Sequence, residues 1–115
     1  MDFKTRFSFE QRRKECDRVL FKYPDRIPII CEKIKNNNNI PSIKKNKYLV
    51  PRDLTVCQFL YVIRKRLQIS QEQALFLFSN NQLSPSNYLI SQLYSENHDD
   101  DGFLYIKYSF ENTFG

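Results

Sequence analysis

The sequence predicts an α+β fold in one small domain. Two capping boxes, Ser8 with Gln11 and Thr55 with Gln58, each head an amphipathic stretch. Four extended runs rich in β-branched and aromatic residues, at 26–33, 47–50, 74–78 and 103–108, lie between and after the helical stretches. The order is therefore helices first, then strand, strand, helix, strand, short helix, strand.

Residues 1–25 read as helical and basic. Phe9, Cys16, Leu20 and Tyr23 form one stripe along a helix that Pro24 stops, and Phe3 and Phe7 suit a shorter helix before it. In 26–33, Ile27, Ile29 and Cys31 alternate with Pro28, Ile30 and Glu32, and the proline predicts an edge or an end of the sheet. A polar loop that carries the run Asn36 to Asn39 follows, without periodicity and predicted to be mobile. Lys47 to Val50 is a short strand ended by Pro51. Val56, Phe59, Leu60, Ile63 and Leu67 share one helix face, with Arg64, Lys65 and Arg66 in the last turn, where positive charge suits the helix dipole. Ala74 to Phe78 is a continuous apolar run, as in a buried inner strand. Asn80-Asn81 is a turn, 89–97 allows a short helix, Asp99 to Gly102 is a solvated acidic turn, and 103–108 is the last strand.

Composition narrows the function. The 115 residues allow one modest core, with 41% hydrophobic and 15% aromatic residues. The formal charge of +5 favours acidic partners. The three cysteines, Cys16, Cys31 and Cys57, form no CxxC and read as buried structural thiols of a reducing compartment. No apolar run reaches the roughly 18 residues of a membrane span, and the N-terminus lacks the apolar core of a signal peptide. Gly102 and Gly115 are the only glycines, so no Gly-rich phosphate loop exists, and His98 sits in a polar stretch with no nucleophile beside it. These observations point to a protein that is not an enzyme and needs no cofactor or metal. The basic clusters at 12–14, 44–45 and 64–66 could track phosphates, but no aromatic platform accompanies them, and nucleic acid is not expected as a partner.

The stretch KKNKYLVPRDLTVCQFLYVIRKR, 44–66, joins a basic strand to a basic-ended helix. An unpaired strand edge beside an apolar groove can take up an extended peptide as an added strand. This stretch resembles the ubiquitin-like modifiers of autophagy, the GABARAP-like family. The resemblance continues through KYPDRIPIICEK (22–33), 74–81, Gln92-Leu93-Tyr94, and from Phe103-Leu104-Tyr105-Ile106 to Gly115, in order along nearly the whole chain. It departs most in the Asn run, a small apparent insertion.

The resemblance implies a ubiquitin-like β-grasp with two additional N-terminal helices. It divides the chain into a helical extension (1–25), the β-grasp (26–110) and a flexible conjugation tail (111–115). It implies that the Gly115 carboxylate is activated by an E1-like enzyme, passed to an E2-like conjugating enzyme and joined to phosphatidylethanolamine. A glycine threads a narrow active site readily, and Phe114 matches the aromatic residue usual before it. Family precursors often carry residues beyond that glycine, which a cysteine protease removes; none follows here. The family also binds adaptor peptides with an aromatic-x-x-aliphatic motif in two pockets. The first maps to Glu15, Val19, Pro28, Ile30, Lys47, Leu49 and Phe103. The second maps to Tyr48, Val50, Pro51, Leu54, Phe59, Val62 and Ile63, and Val62 stands where relatives often have Leu. Arg26, Lys45, Lys47 and Arg66 would pair with acidic flanks of the motif. Tyr48→Ala with Leu49→Ala is expected to abolish peptide binding and leave the fold intact. The implied location is cytoplasmic, then membrane-bound after lipidation, on the autophagosome or, as in some protists, a plastid-derived organelle. An adaptor domain that is never conjugated is the alternative reading.

Overall fold

The computed structural model describes residues 2–35 and 39–112. Gly115 and Phe114, with Asn36 to Asn38, lie outside the described residues. The elements are α1 (Phe3–Arg6), α2 (Phe9–Lys22), β1 (Arg26–Lys33), β2 (Lys47–Pro51), α3 (Val56–Leu67), β3 (Phe76–Ser79), β4 (Gln82–Leu83), α4 (Ile90–Asn97) and β5 (Leu104–Ser109). The sheet order is β2-β1-β5-β3-β4, with β1 and β5 parallel and the other neighbours antiparallel.

Both capping boxes form. The Gln11 N–H donates to Ser8 Oγ (3.2 Å) and the Ser8 N–H to Gln11 Oε1 (2.9 Å). Thr55 and Gln58 exchange the same two bonds at 3.1 and 2.9 Å. α3 buries Val56, Phe59 and Ile63, as its period predicts, with Leu60 and Leu67 packed alongside. It ends at Gln68 in the left-handed region (φ 56°). Arg64 belongs to this stop: its guanidinium donates to the carbonyls of Gln73 (2.6 Å) and Ser70 (2.8 Å), so it pins a loop and is not free for phosphates.

α2 differs from its predicted stripe. It buries Cys16 and Val19, while Phe9 and Tyr23 are exposed. A straight helix lying on a twisted sheet touches it closely only near its middle, and the ends overhang.

β1 carries the core. Ile27 to Cys31 are five consecutive buried residues. Their alternation separates two covered faces, not inside from outside. Ile27, Ile29 and Cys31 join the large cluster under α3 and α4, and Ile30 joins Phe3, Cys16 and Phe103 under α1 and α2. Of the two places that the proline predicts, Pro28 therefore marks an end, not an edge. The Cys31 N–H donates to the Asn46 carbonyl (2.8 Å), so alternation turns the Pro28 nitrogen toward β5. There the β1–β5 ladder begins one residue later, at Ile29. The missing donor falls just beyond that ladder.

Several loop expectations also change. Ile34 and Ile40 are buried in the large cluster, so the polar loop is anchored at both sides of its Asn run. The Tyr108 hydroxyl donates to the Pro41 carbonyl and accepts the Ile43 N–H, both at 2.9 Å. β4 is a strand the sequence does not announce, because its two residues are both exposed and carry no pattern. The Asn80-Asn81 turn has both residues at positive φ (49° and 64°), the hairpin geometry that Asn tolerates. Cys57 is exposed, unlike the buried Cys16 and Cys31, because it lies on the solvent side of the first turn of α3.

The acidic turn is only partly solvated. Asp101 is fully buried and accepts from Arg12 Nη1 (2.6 Å), the Phe103 N–H (2.8 Å) and the Tyr105 hydroxyl. Lys4 Nζ meets Asp99 Oδ1 at 2.7 Å, and Arg13 donates to the Asp100 carbonyl at 2.9 Å. Gly102, at φ +97°, lets this turn press on α2: a Cβ there would lie 2.6 Å from Cys16 Sγ. Together these contacts fasten α1 and α2 to the sheet.

Removing one partner of a buried charge pair strands the other. Asp101→Ala is expected to lower the unfolding free energy by about 3 kcal/mol and Tyr105→Phe by about 1.5 kcal/mol, read from urea denaturation. A loss for Asp101→Ala within about 0.5 kcal/mol, the range of an ordinary surface change, would refute the fastening role.

Candidate functional site at the free edge of β2

β2 is the strand at one edge of the sheet, with β4 at the other. Tyr48 pairs with Ile29 and Val50 with Ile27. With Asn46 already accepting from Cys31, alternation points the backbone groups of Asn46, Tyr48 and Val50 toward β1. Those of Lys47 and Leu49 point outward. The Arg26 guanidinium reaches the Leu49 carbonyl at a long 3.4 Å. The Pro51 carbonyl accepts the Leu54 N–H (3.2 Å), which turns the chain into α3.

The side chains of β2 divide between two faces. Leu49 lies opposite Pro28, and Lys47 opposite Ile30, on the α2 side. There Lys47 Nζ meets Glu15 Oε2 at 2.9 Å and sits 5.9 Å from the Phe3 ring centroid. The structure thus gathers Glu15, Val19, Pro28, Ile30, Lys47, Leu49 and Phe103 on one face. On the other, the Tyr48 ring packs edge-on against Phe59 (centroids 5.5 Å), and Val50, Ile63 and Leu54 complete the contact. Pro51 and Val62 lie exposed at that margin.

The two groups are not open holes. Ile30, Phe59, Ile63 and Phe103 are buried core residues. The accessible surface is Glu15, Lys47 and Leu49 on one side and Pro51, Leu54 and Val62 on the other. Two cavities, of about 490 and 300 Å³, lie elsewhere: one beside α1 and the end of β1, one between α2 and α4. Tyr48 is only 6% exposed, so truncating it removes core packing. The expectation that Tyr48→Ala with Leu49→Ala leaves the fold intact is corrected on that ground. The Tyr48 hydroxyl is buried without a hydrogen-bond partner, and burial pushes its pKa up to about 12.

Electrostatics at the edge is shaped by Glu15, which the resemblance places in the first pocket without indicating that it pairs with Lys47. Hydrogen bonds from Arg18 (3.0 Å) pull its carboxyl down to about 2, against desolvation and with help from Lys47. Glu15 thereby holds the one lysine whose backbone faces outward. Lys45 lies over the Tyr48 ring at 5.3 Å, and the exposed Arg26 and Arg66 flank the strand. Arg66 makes no ion pair among the described residues. His98, outside this region, is exposed; its Nδ1 lies 2.8 Å from the Tyr94 carbonyl and its ring stacks on Tyr94.

Comparison with known proteins identifies the family and the fold. The family model described as "Autophagy protein Atg8 ubiquitin like" matches residues 11–115. The chain is 57% identical over 113 residues to Autophagy-related protein 8 of Schizosaccharomyces pombe, covering 98% of this chain and 93% of that one. It is 55% identical to Autophagy-related protein 8 of Mycosarcoma maydis, covering 98% and 95%. The crystal structure of Trypanosoma brucei ATG8 superposes with a TM-score of 0.90 at 46% identity, covering 100% of this chain and 98% of that one. The fold is accordingly the ubiquitin-like β-grasp with two additional N-terminal helices, and the chain belongs to the Atg8 family of ubiquitin-like autophagy proteins.

Proposed function

We propose that this Atg8-family chain is a non-enzymatic modifier, conjugated through Gly115 to phosphatidylethanolamine, that recruits motif-bearing adaptor and receptor proteins along β2. In conjugation, an E1-like enzyme forms the Gly115 adenylate and releases pyrophosphate. An enzyme thiol displaces AMP, and the thioester passes to the E2-like enzyme. The headgroup amine then attacks the carbonyl and releases the thiol. Among the described residues no helix is long and apolar enough to cross a membrane, so a cytoplasmic chain would take its membrane association, on autophagosomes or another organelle, from this amide.

The observation that carries the peptide-binding half is the parity of β2. Its two groups of apolar residues lie on opposite faces of one edge strand. A peptide added to that edge continues the alternation. Its residues i and i+3 then point to opposite faces, about 10 Å apart along the strand. An aromatic-x-x-aliphatic motif has that spacing. Entry of large side chains would require the buried walls to part.

Three outcomes test the proposal. Peptides with the two anchors two or four residues apart place both on one face, and are expected to bind at least about tenfold more weakly than the three-residue spacing. Equal titration curves for all spacings would sink strand addition. Leu49→Ala is expected to weaken the three-spaced peptide about tenfold with stability nearly unchanged, whereas Tyr48→Ala should lose about 3 kcal/mol of stability.

Glu15 supplies a pH test. Its carboxyl ionises near 2 folded against an ordinary 4.5. The stabilisation is therefore complete above the unfolded value and is lost as pH falls toward the folded one. Glu15→Gln should flatten the loss of stability between neutral pH and about pH 3, and should free Lys47 for acidic peptide flanks. A loss that is just as steep in the variant would show that Glu15 is not a source of it.

Conjugation is tested with the E1-like and E2-like enzymes, ATP and phosphatidylethanolamine liposomes. A mass gain of one lipid, absent when Gly115 is deleted, is the expected result. No adduct with active enzymes would favour the unconjugated adaptor.

A further inference from the structure

We infer that the cavity beside α1 and the end of β1 binds a phosphomonoester, of the kind an inositol phosphate headgroup carries. The cavity measures about 490 Å³, within the range of small-ligand sites. Its wall holds four cations, Arg6, Lys33, Lys35 and Lys44, and two carboxylates, Asp2 and Glu32. Both carboxylates are engaged. Asp2 meets Lys35 Nζ at 3.0 Å and accepts the Thr5 N–H at 2.8 Å. Glu32 accepts the Phe3 N–H at 2.9 Å and meets Lys107 Nζ at 3.4 Å.

Among the described residues, three cations remain without a counter-charge. Lys33 donates to a neutral partner, the Ile40 carbonyl, at 3.3 Å. Arg6 rests on the Phe7 ring at 5.2 Å, and Lys44 is exposed; neither side chain has an ion pair or hydrogen bond among the described residues. Like charges facing one concave volume repel each other and attract a compact dianion. Ser42 and Asn46, in the same wall, add neutral donors for phosphate oxygens. The positive charge lines a cavity, not a stripe, which suits a monoester better than a polymer backbone.

The position favours a lipid source over a free phosphate. Lys33 of β1 lies opposite Tyr108 of the parallel β5. The cavity thus sits at the end of the sheet from which the tail departs. This step rests on the conjugation of Gly115. Six residues beyond Ser109 reach about 20 Å, so an anchored tail keeps the cavity near the headgroup layer.

The test uses the unconjugated full chain, so its result is independent of whether Gly115 is ever lipidated. Soluble inositol trisphosphate and inorganic phosphate are titrated while amide resonances are followed. Binding to phosphatidylcholine vesicles with and without a phosphatidylinositol phosphate is measured in parallel. Saturable shifts centred on Arg6, Ile43, Lys44 and Asn46 are expected. Arg6→Glu with Lys44→Glu should weaken the trisphosphate at least tenfold. Lys14→Glu with Lys65→Glu, an equal change of charge far from the cavity, should not. Vesicle binding that requires the phosphoinositide supports the lipid source; saturable headgroup binding without vesicle binding overturns that source in favour of a free phosphate ester. Absent saturation, or equal loss in both double variants, overturns the site itself.

Discussion

The strand β1 must be covered on both faces. Five successive buried residues, Ile27 to Cys31, leave no side of it for water. A strand in that state needs partners along both edges and a layer on each face. β2 and β5 supply the edges, α3 and α4 the first layer, α1 and α2 the second. The N-terminal helices are therefore part of the core's closure. Without them Ile30 and Phe103, now buried, would face solvent, and burying such side chains contributes roughly 1.5–3 kcal/mol each.

The second layer is held differently from the first. Its apolar cluster is small: Phe3, Cys16, Ile30 and Phe103, with Phe7, Leu20 and Tyr105 around them. Polar contacts from the turn after α4 supplement it. Asp101, buried against Arg12 and Tyr105, is the centre of that fastening. Burial pushes the Tyr105 hydroxyl well above the usual phenol range, and its bond to Asp101 adds to the effect. The hydroxyl thus stays a proton donor at every physiological pH. The thiol of Cys16 is likewise pushed up to about 12, first by burial and then by Asp101. It packs as an inert apolar group.

The legible features were those written in short periods. Capping boxes, the α3 stripe and most extended runs need only a few neighbouring residues to be read, and formed where expected; the run 74–78 is the exception, since β3 is Phe76–Ser79 and Ala74 lies exposed before it. What was illegible depends on tertiary partners. Pro28 reads as an edge or an end signal, and only the register decides for the end, with its nitrogen just beyond the β5 ladder. Asp101 reads as a solvated acid until Arg12, 89 residues earlier, reaches it. β4 has no pattern because neither residue is buried. At the site, the residues that the family resemblance named come mainly from α2, β1, β2 and α3 and lie on the two faces of β2. The resemblance did not indicate how many of them are core, nor that Glu15 holds Lys47. The cavity beside α1 could not be read at all, since its cations come from three separate segments, each resembling an ordinary solvated face.

An exposed edge is a hazard as well as a site, since any strand can pair with it. Both edges of this sheet are limited, by different means. β4 is two residues long and follows a tight Asn-Asn turn, so it offers little backbone. β2 is longer and keeps the outward groups of Lys47 and Leu49. Charge is what restrains it. Lys45, Lys47 and the exposed Arg26 and Arg66 surround the edge, and Arg26 covers the Leu49 carbonyl. A second copy pairing edge to edge would bring these cations together, and like charges directly opposite one another in a sheet are destabilising. A segment with acidic flanks meets the reverse situation: it supplies the counter-charge and displaces only one long hydrogen bond. The same basic residues that favour an acidic strand thus disfavour self-pairing, and the edge stays open without becoming a template for aggregation.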